Sequence, residues 1–288
     1  MKNTLYNLAV LALTVGLGAC EKVVQLDVPE ADPIVVVESQ ISNETEKWLV
    51  NLTLTQPYFD QSGIVFVDDA IVTIEDNNNS IDTLVYDADG NYLSKVEKAC
   101  VIGDVYTLKI EHGSKTYTST EKCFYQDTID LVESYYLPER NGFIPVGYYV
   151  FEKANEYEPD GDFYLWNIYQ NGNILTDSIG YLIDSDEFRE TGFFNISIDP
   201  DDPLKDIDRG VFPRPFPWNF EKGDSVTVEQ MRISEDYYNF ISEFSTQQQR
   251  SGTPFDPPPF NPTSNISGGA YGFFRVVNVS SKSVIVTE

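Results

Sequence analysis

Histidine is almost absent: His112 is the single imidazole in 288 residues. A Ser-His-Asp or Cys-His mechanism would have to be built on it, and neither a Gly-x-Ser-x-Gly nor a His-Glu-x-x-His motif is present. Basic residues are scarce too, with 19 Lys+Arg against 46 Asp+Glu and a formal net charge of −27. Phosphate contacts need a basic surface, so this balance argues against nucleic-acid binding. An acidic surface suits solubility, cations or a basic partner. Methionine is rare at 2 residues, whereas there are 18 Tyr and 18 Phe. That balance favours β-sheet over helical bundles. No internal repeat is evident, and the longest apolar run falls short of the ~20 residues of a transmembrane helix.

That run lies at the start of the chain. Lys2 precedes apolar residues from Leu8 to Leu17, which end at Leu17-Gly18-Ala19-Cys20. A short basic start, an apolar stretch and small residues before a cleavage point are the pattern of an export signal. The tetrapeptide resembles the lipobox of bacterial lipoproteins. The resemblance implies that residues 1–19 are removed and that Cys20 is acylated as the mature N-terminus. Residues 20–33, which carry Pro29 and Pro33, then form a tether to the first folded unit.

With Cys20 assigned to the lipid, Cys100 and Cys123 remain as a pair. An exported chain meets an oxidising compartment, so a disulfide is expected. Closing this loop contributes roughly 3 kcal/mol in the chain-entropy account. A two-cysteine metal site would need further ligands nearby, and His112 alone offers little support for one.

Short strand signals recur through residues 34–125. Ile34-Val35-Val36-Val37 is a β-branched run of the buried-strand type. Trp48 to Thr55 alternates apolar and polar residues, as does Val105 to Ile110. Asp68-Asp69 and Asp76 to Ser80 read as turns, and Asp89-Gly90 is a hairpin signal. Strands this short and closely spaced predict an antiparallel sandwich.

Residues 126–288 predict a β-rich region with one helix at about 235–250. Phe163 to Tyr169 is an aromatic strand followed by the hairpin pair Asn171-Gly172. For the helix, Ser234 is a cap, Glu235 and Asp236 suit the first turn, and Tyr237, Phe240, Ile241 and Phe244 share one face. Five prolines follow between Pro254 and Pro262, then two terminal strand candidates.

Several of these segments resemble known families. Ala70 to Ile74, Asp89-Gly90-Asn91-Tyr92 and Gly103 to Leu108 are similar to carboxypeptidase-regulatory or transthyretin-like sandwiches. Those are structural or recognition modules more often than catalytic ones. The lipobox, Cys20 to Val24, Leu26-Asp27-Val28-Pro29 and Ile34 to Glu38 form one set of motifs. Asn261 to Ile266 and Gly268-Gly269-Ala270-Tyr271-Gly272-Phe273-Phe274 form another. Together they resemble a family of Bacteroidota outer-membrane lipoproteins, domain of unknown function 4249. The resemblance implies an accessory role beside a TonB-dependent receptor and supplies no catalytic residues.

The expected architecture is therefore mostly β, an Ig-like or transthyretin-like sandwich followed by a β-rich region with one helix. Candidate sites are weighed against structural roles. Asp199, Asp201, Asp202, Asp206 and Asp208 are hard oxygen ligands suited to Ca²⁺, but Gly210 follows them, unlike an EF-hand loop, and a solvated acidic loop is favoured. Phe212, Phe216 and Trp218 lie in a proline-aromatic stretch and are the better candidates for stacking on a ligand. Ser264, Asn265, Gly268 and Gly269 suit a tight turn that locks the last strands, with a ligand-facing loop as the alternative. No cofactor is expected. The expected function is an outer-membrane accessory lipoprotein, lipid-anchored and displayed on the cell surface, with the periplasmic face of that membrane as the alternative, capturing substrate for a TonB-dependent transporter. The alternatives are a stand-alone adhesin or glycan-binding protein and, less favoured, a hydrolase using two carboxylates.

Overall fold

Alternating burial along the strands sets the architecture. A computed structural model describes residues 32–57, 60, 62–125, 128–137, 146–154, 161–176, 183–185, 218–250 and 258–287. It is mostly β with one helix among the described residues. In β1 (Val35–Ser42), Val35, Val37 and Ile41 are buried while Glu38 is exposed. The β-branched run at its start is thus buried on one face only. In β2 (Leu49–Leu54), Val50 and Leu52 point the same way.

A four-stranded sheet covers that face. It comprises β4 (Ile71–Asp76), β5 (Ile81–Thr83), β8 (Val105–His112) and β9 (Lys115–Lys122), in the order β5-β4-β8-β9. Val72, Ile74, Leu108 and Ile110 from this sheet meet Val37, Val50 and Leu52 in one core. The chain passes between the layers three times before β8 and β9 complete the second sheet. Asp68-Asp69 joins β3 (Val65–Phe66), which pairs with β2, to β4 in the other sheet. Leu84 then returns the chain from β5 to β6 (Val85–Tyr86), its N–H donating to Val72 O at 2.9 Å. Tyr92, on β7 (Asn91–Leu93), pins the first crossover, donating to Val67 O at 3.1 Å and accepting from Ala70 N at 3.0 Å.

The last strand, β16 (Tyr271–Ile285), is 15 residues long. At ~3.3 Å per residue it spans roughly 50 Å. The two terminal strand candidates are thus one strand. Its first half pairs in parallel with β1, from Val36↔Tyr271 to Ser42↔Val277. Its second half pairs antiparallel with β15 (Ser225–Ile233), from Arg232↔Asn278 to Ser225↔Ile285. Beyond β15 lies β12 (Phe163–Gln170), with β13 (Asn173–Ile174) and β14 (Ile183–Ser185) paired to it. The resulting ten-stranded sheet draws on both 34–125 and 126–288.

Because strand side chains alternate, β16 serves three cores. Phe274 and Val276 enter the core of the four-stranded sheet. On the same face, Val284 and Val286 pack with Trp166, Ile168, Val226 and Val228 beneath the hairpin of β10 (Ile129–Leu137) and β11 (Gly147–Ala154). On the opposite face, Phe273, Val277 and Val279 meet helix α1 (Glu235–Gln248) through Tyr237 and Ile241. Ser234 caps this helix, its hydroxyl accepting from Tyr237 N at 3.2 Å.

Cys100 and Cys123 are disulfide-bonded, with Cα atoms 6.5 Å apart. Cys100 N donates to Ser42 O at 2.7 Å and Cys123 N to Asp104 O at 2.9 Å. The bridge therefore closes the open end of the β8–β9 hairpin next to the end of β1.

Close approach of β1 and β16 requires a residue without a side chain. Gly272 has φ +99, and a Cβ there would lie 1.9 Å from Val37 O. Gly272→Ala is expected to cost at least about 2 kcal/mol, from the strained φ and the clash with backbone. Urea titration followed by tryptophan fluorescence measures it; an unchanged midpoint would contradict this packing.

Candidate functional site

The C-terminal motif spends its polar groups inside the fold. Ser264 Oγ donates to Gly272 O at 2.7 Å and accepts from Ile266 N at 3.1 Å. Asn265 treats Phe274 as a strand neighbour would: Nδ2 donates to its carbonyl at 2.7 Å, and Oδ1 accepts its N–H at 3.1 Å. Ser267 N donates to Thr118 O at 2.8 Å, placing the turn on β9. Gly268, at φ +82, sits where a Cβ would be 2.4 Å from Thr116 O, whereas Gly269 (φ +85) has open space. These residues clasp β9 to β16.

Glu121 lies beneath the clasp. It accepts from Asn265 Nδ2 at 2.9 Å and from Ser234 Oγ at 3.3 Å, so the helix cap, β9 and the motif meet at one carboxyl. Burial pushes its pKa up to about 7, against the lowering effect of those two bonds. Glu152, on β11, is buried under the second core, and desolvation pushes it to about 8 while Trp166 opposes the shift.

The other sequence candidates are dispersed. Trp218 is half-buried and packs on the second core. Cys20, Asp199, Asp201, Asp202, Asp206, Asp208, Phe212 and Phe216 lie outside the described residues. Among the described residues, no three His, Cys, Asp or Glu side chains are grouped to hold a metal. His112 Nε2 is 3.1 Å from Asp69 Oδ1, linking the β8–β9 turn to the first crossover loop.

The candidate site is instead an uncovered sheet face. The four-stranded sheet covers one side of β1, β2 and β7, while α1 covers only the neighbouring stretch of β16 on the other side. This leaves a cavity of about 900 Å³. Its floor is Glu38 and Gln40 from β1, Leu49, Asn51 and Thr53 from β2, Asn91 and Leu93 from β7, and Arg275 from β16. Ile64 and Phe66 form a wall. Asn51 Nδ2 donates to Asp89 O at 2.9 Å and Asn91 Oδ1 at 2.7 Å. Asn51 Oδ1 and Asn91 Nδ2 are left without a partner among the described residues.

Two cations line the cavity, the exposed Lys47 and the half-buried Arg275, together with the carboxylates of Glu38 and Glu46. The Arg275 guanidinium lies 4.7 Å from the Tyr237 ring centroid, and its buried Nε has no hydrogen-bond acceptor. Burial lowers its pKa to about 10, with the charge of Glu38 acting in the opposite direction. A guanidinium held against an aromatic ring over a cavity is suited to recognising an anion. None of these residues stood out in the sequence. The available signal was the outward set of β1 and β2, where amides, a hydroxyl and a carboxylate alternate with core residues.

The raised carboxyls set a pH dependence. Both bind a proton more tightly folded than unfolded, where the ordinary value is 4.5, so their stabilisation is complete below about pH 4.5. It then declines as pH rises to about 7 for Glu121 and to about 8 for Glu152. Denaturant midpoints measured across this range should fall with pH. Glu121→Gln should flatten the part of the decline below about 7, and an identical decline in this variant would refute the assignment.

No curated protein matches the chain. The family described as a domain of unknown function, number 4249, matches residues 21–283 and so takes in every strand described above except the end of β16. The chain belongs to that family.

Proposed function

We propose that the chain is a lipid-anchored accessory protein of the outer membrane, held through Cys20 and displayed at the cell surface. It captures a small ligand on the open sheet face and passes it to a TonB-dependent β-barrel transporter. The observation that carries this reading is the cavity of about 900 Å³, lined by amides, leucines, Phe66 and Arg275. A cavity of that size lies within the ~300–1,000 Å³ of small-molecule sites.

The sequence supports the anchoring. Leu17-Gly18-Ala19-Cys20 has the form of a lipobox, and residues 21–33 provide a short polar spacer before β1. Lipid tethering confines a binding module to the membrane surface, where a barrel partner is available at high local concentration. The net charge of −27 adds long-range attraction to a basic rim on such a partner. This role uses binding rather than turnover, in keeping with the scarcity of imidazole and of recognisable nucleophile motifs.

Labelled palmitate should enter the wild-type protein and not Cys20→Ser, and affinity capture from solubilised outer membranes should recover a β-barrel receptor. Recovery of no barrel, with ligand binding intact, would favour a stand-alone surface binding protein.

A further inference from the structure

Three polar side chains stand in one row across the open face. Glu38 on β1 pairs with Asn51 on β2, and Asn51 with Asn91 on β7, so the row covers ~10 Å at the usual strand spacing. Thr53 and Phe66 form the next row on one side, and Gln40, Leu49 and Leu93 the next on the other. Arg275 lies beyond Gln40 at the end of that second flank. The mutual hydrogen bond of 2.7 Å orients Asn51 and Asn91, leaving Asn51 Oδ1 and Asn91 Nδ2 open. Glu38 is exposed and makes no hydrogen bond or ion pair among the described residues.

The charges around this row cancel. Glu38 and Glu46 offset Lys47 and Arg275 in the cavity lining, two of each sign. Arg275 alone suits an anion, but the two carboxylates oppose one, and the two cations oppose an ammonium ligand. Hydrogen-bonding capacity narrows the choice further. The carboxylate and Asn51 Oδ1 only accept, and Asn91 Nδ2 only donates. A ligand that satisfies the row offers both donors and acceptors over ~10 Å while carrying no net charge. Hydroxyl groups do both. Successive N–H groups on one edge of an extended peptide are ~7 Å apart, too far for one carboxylate, whereas two neighbouring ring hydroxyls reach both of its oxygens.

We propose that this face binds a neutral oligosaccharide, its hydroxyls on Glu38, Asn51 and Asn91 and the apolar side of one ring against Phe66. The assignment rests on the substrate-capture reading of this face and names the substrate class. Phe66 is 39% exposed, so its ring is open to such contact. A ligand of two or more rings matches the length of the polar row, which a single ring does not.

The test applies the full chain, purified in a detergent without a sugar headgroup, to an array of neutral, amine-bearing, carboxylated and sulfated oligosaccharides. The strongest neutral binder is then titrated by calorimetry. Neutral members should bind best, with affinity changing less than about twofold between about 0.05 and 0.5 M NaCl, because no ion pair forms. Glu38→Ala, at an exposed position, and Asn91→Ala should each weaken binding at least about tenfold with near-ultraviolet circular dichroism unchanged. Unchanged affinity in folded Glu38→Ala would overturn the assignment, as would a preference for charged glycans that fades with salt. Binding of the uncharged peptide N-acetyl-Ala-Leu-Ala-amide in place of any glycan would also overturn it. So would absence of glycan binding in protein that still captures a barrel, and that result would leave the accessory role standing. Glycan binding without any barrel partner would support this site while ending the transport reading.

Discussion

The parallel pairing of β1 with β16 is the contact on which the rest of the structure depends. It joins the first described strand to the last, and its closest point is the bare backbone of Gly272 against Val37 O. Parallel strands far apart in sequence carry a large loop-closure cost, recovered only when the intervening chain has packed. Here that recovery comes from three cores sharing one strand: Phe274 and Val276 in the first, Val284 in the second, and Phe273, Val277 and Val279 in the third. The same pairing places Arg275 beside the outward face of β1, so the cavity exists only when the two ends of the fold have met.

Buried polar groups hold the junction around that strand. Arg232 pairs with Asp162, donates to Phe163 O at 3.2 Å and Ile233 O at 3.0 Å, and lies 5.1 Å from the Phe124 ring. Asn278 Nδ2 donates to Phe124 O at 3.2 Å. The segment leaving β9 is thereby fixed to β15 and β16 as it enters the second half. Asn43 performs the matching task at the end of β1, exchanging hydrogen bonds with both the N–H and C=O of Val279 at 2.6 and 3.0 Å. Removing any one of these partners would strand a desolvated group, which makes the junction specific as well as stable.

Local chemistry was legible in the sequence. Asp89-Gly90 and Asn171-Gly172 adopt the positive φ values that their hairpins need, 51° and 77°, then 50° and 82°. Ser234 caps the helix that its spacing predicted, and Cys100 meets Cys123. Non-local pairing was not legible. Leu84 switches sheets without any turn residue to announce it, because the strand stays extended and only its partner changes. The run at Val35 reads as a strand buried on both faces, yet Glu38 and Gln40 already mark an open side. Arg275 was hidden for a related reason: one cation in an aromatic strand looks like ordinary surface until Glu38 and Tyr237 are placed around it.

Native-state hydrogen exchange on the intact protein tests most directly whether the two halves form one cooperative unit through β16. The account predicts that the most protected amides of β1, β8, β15 and β16 exchange with a common free energy, through a single global opening. Protection that persists in β1 and β8 while β15 and all of β16 exchange through a lower-energy opening would contradict it.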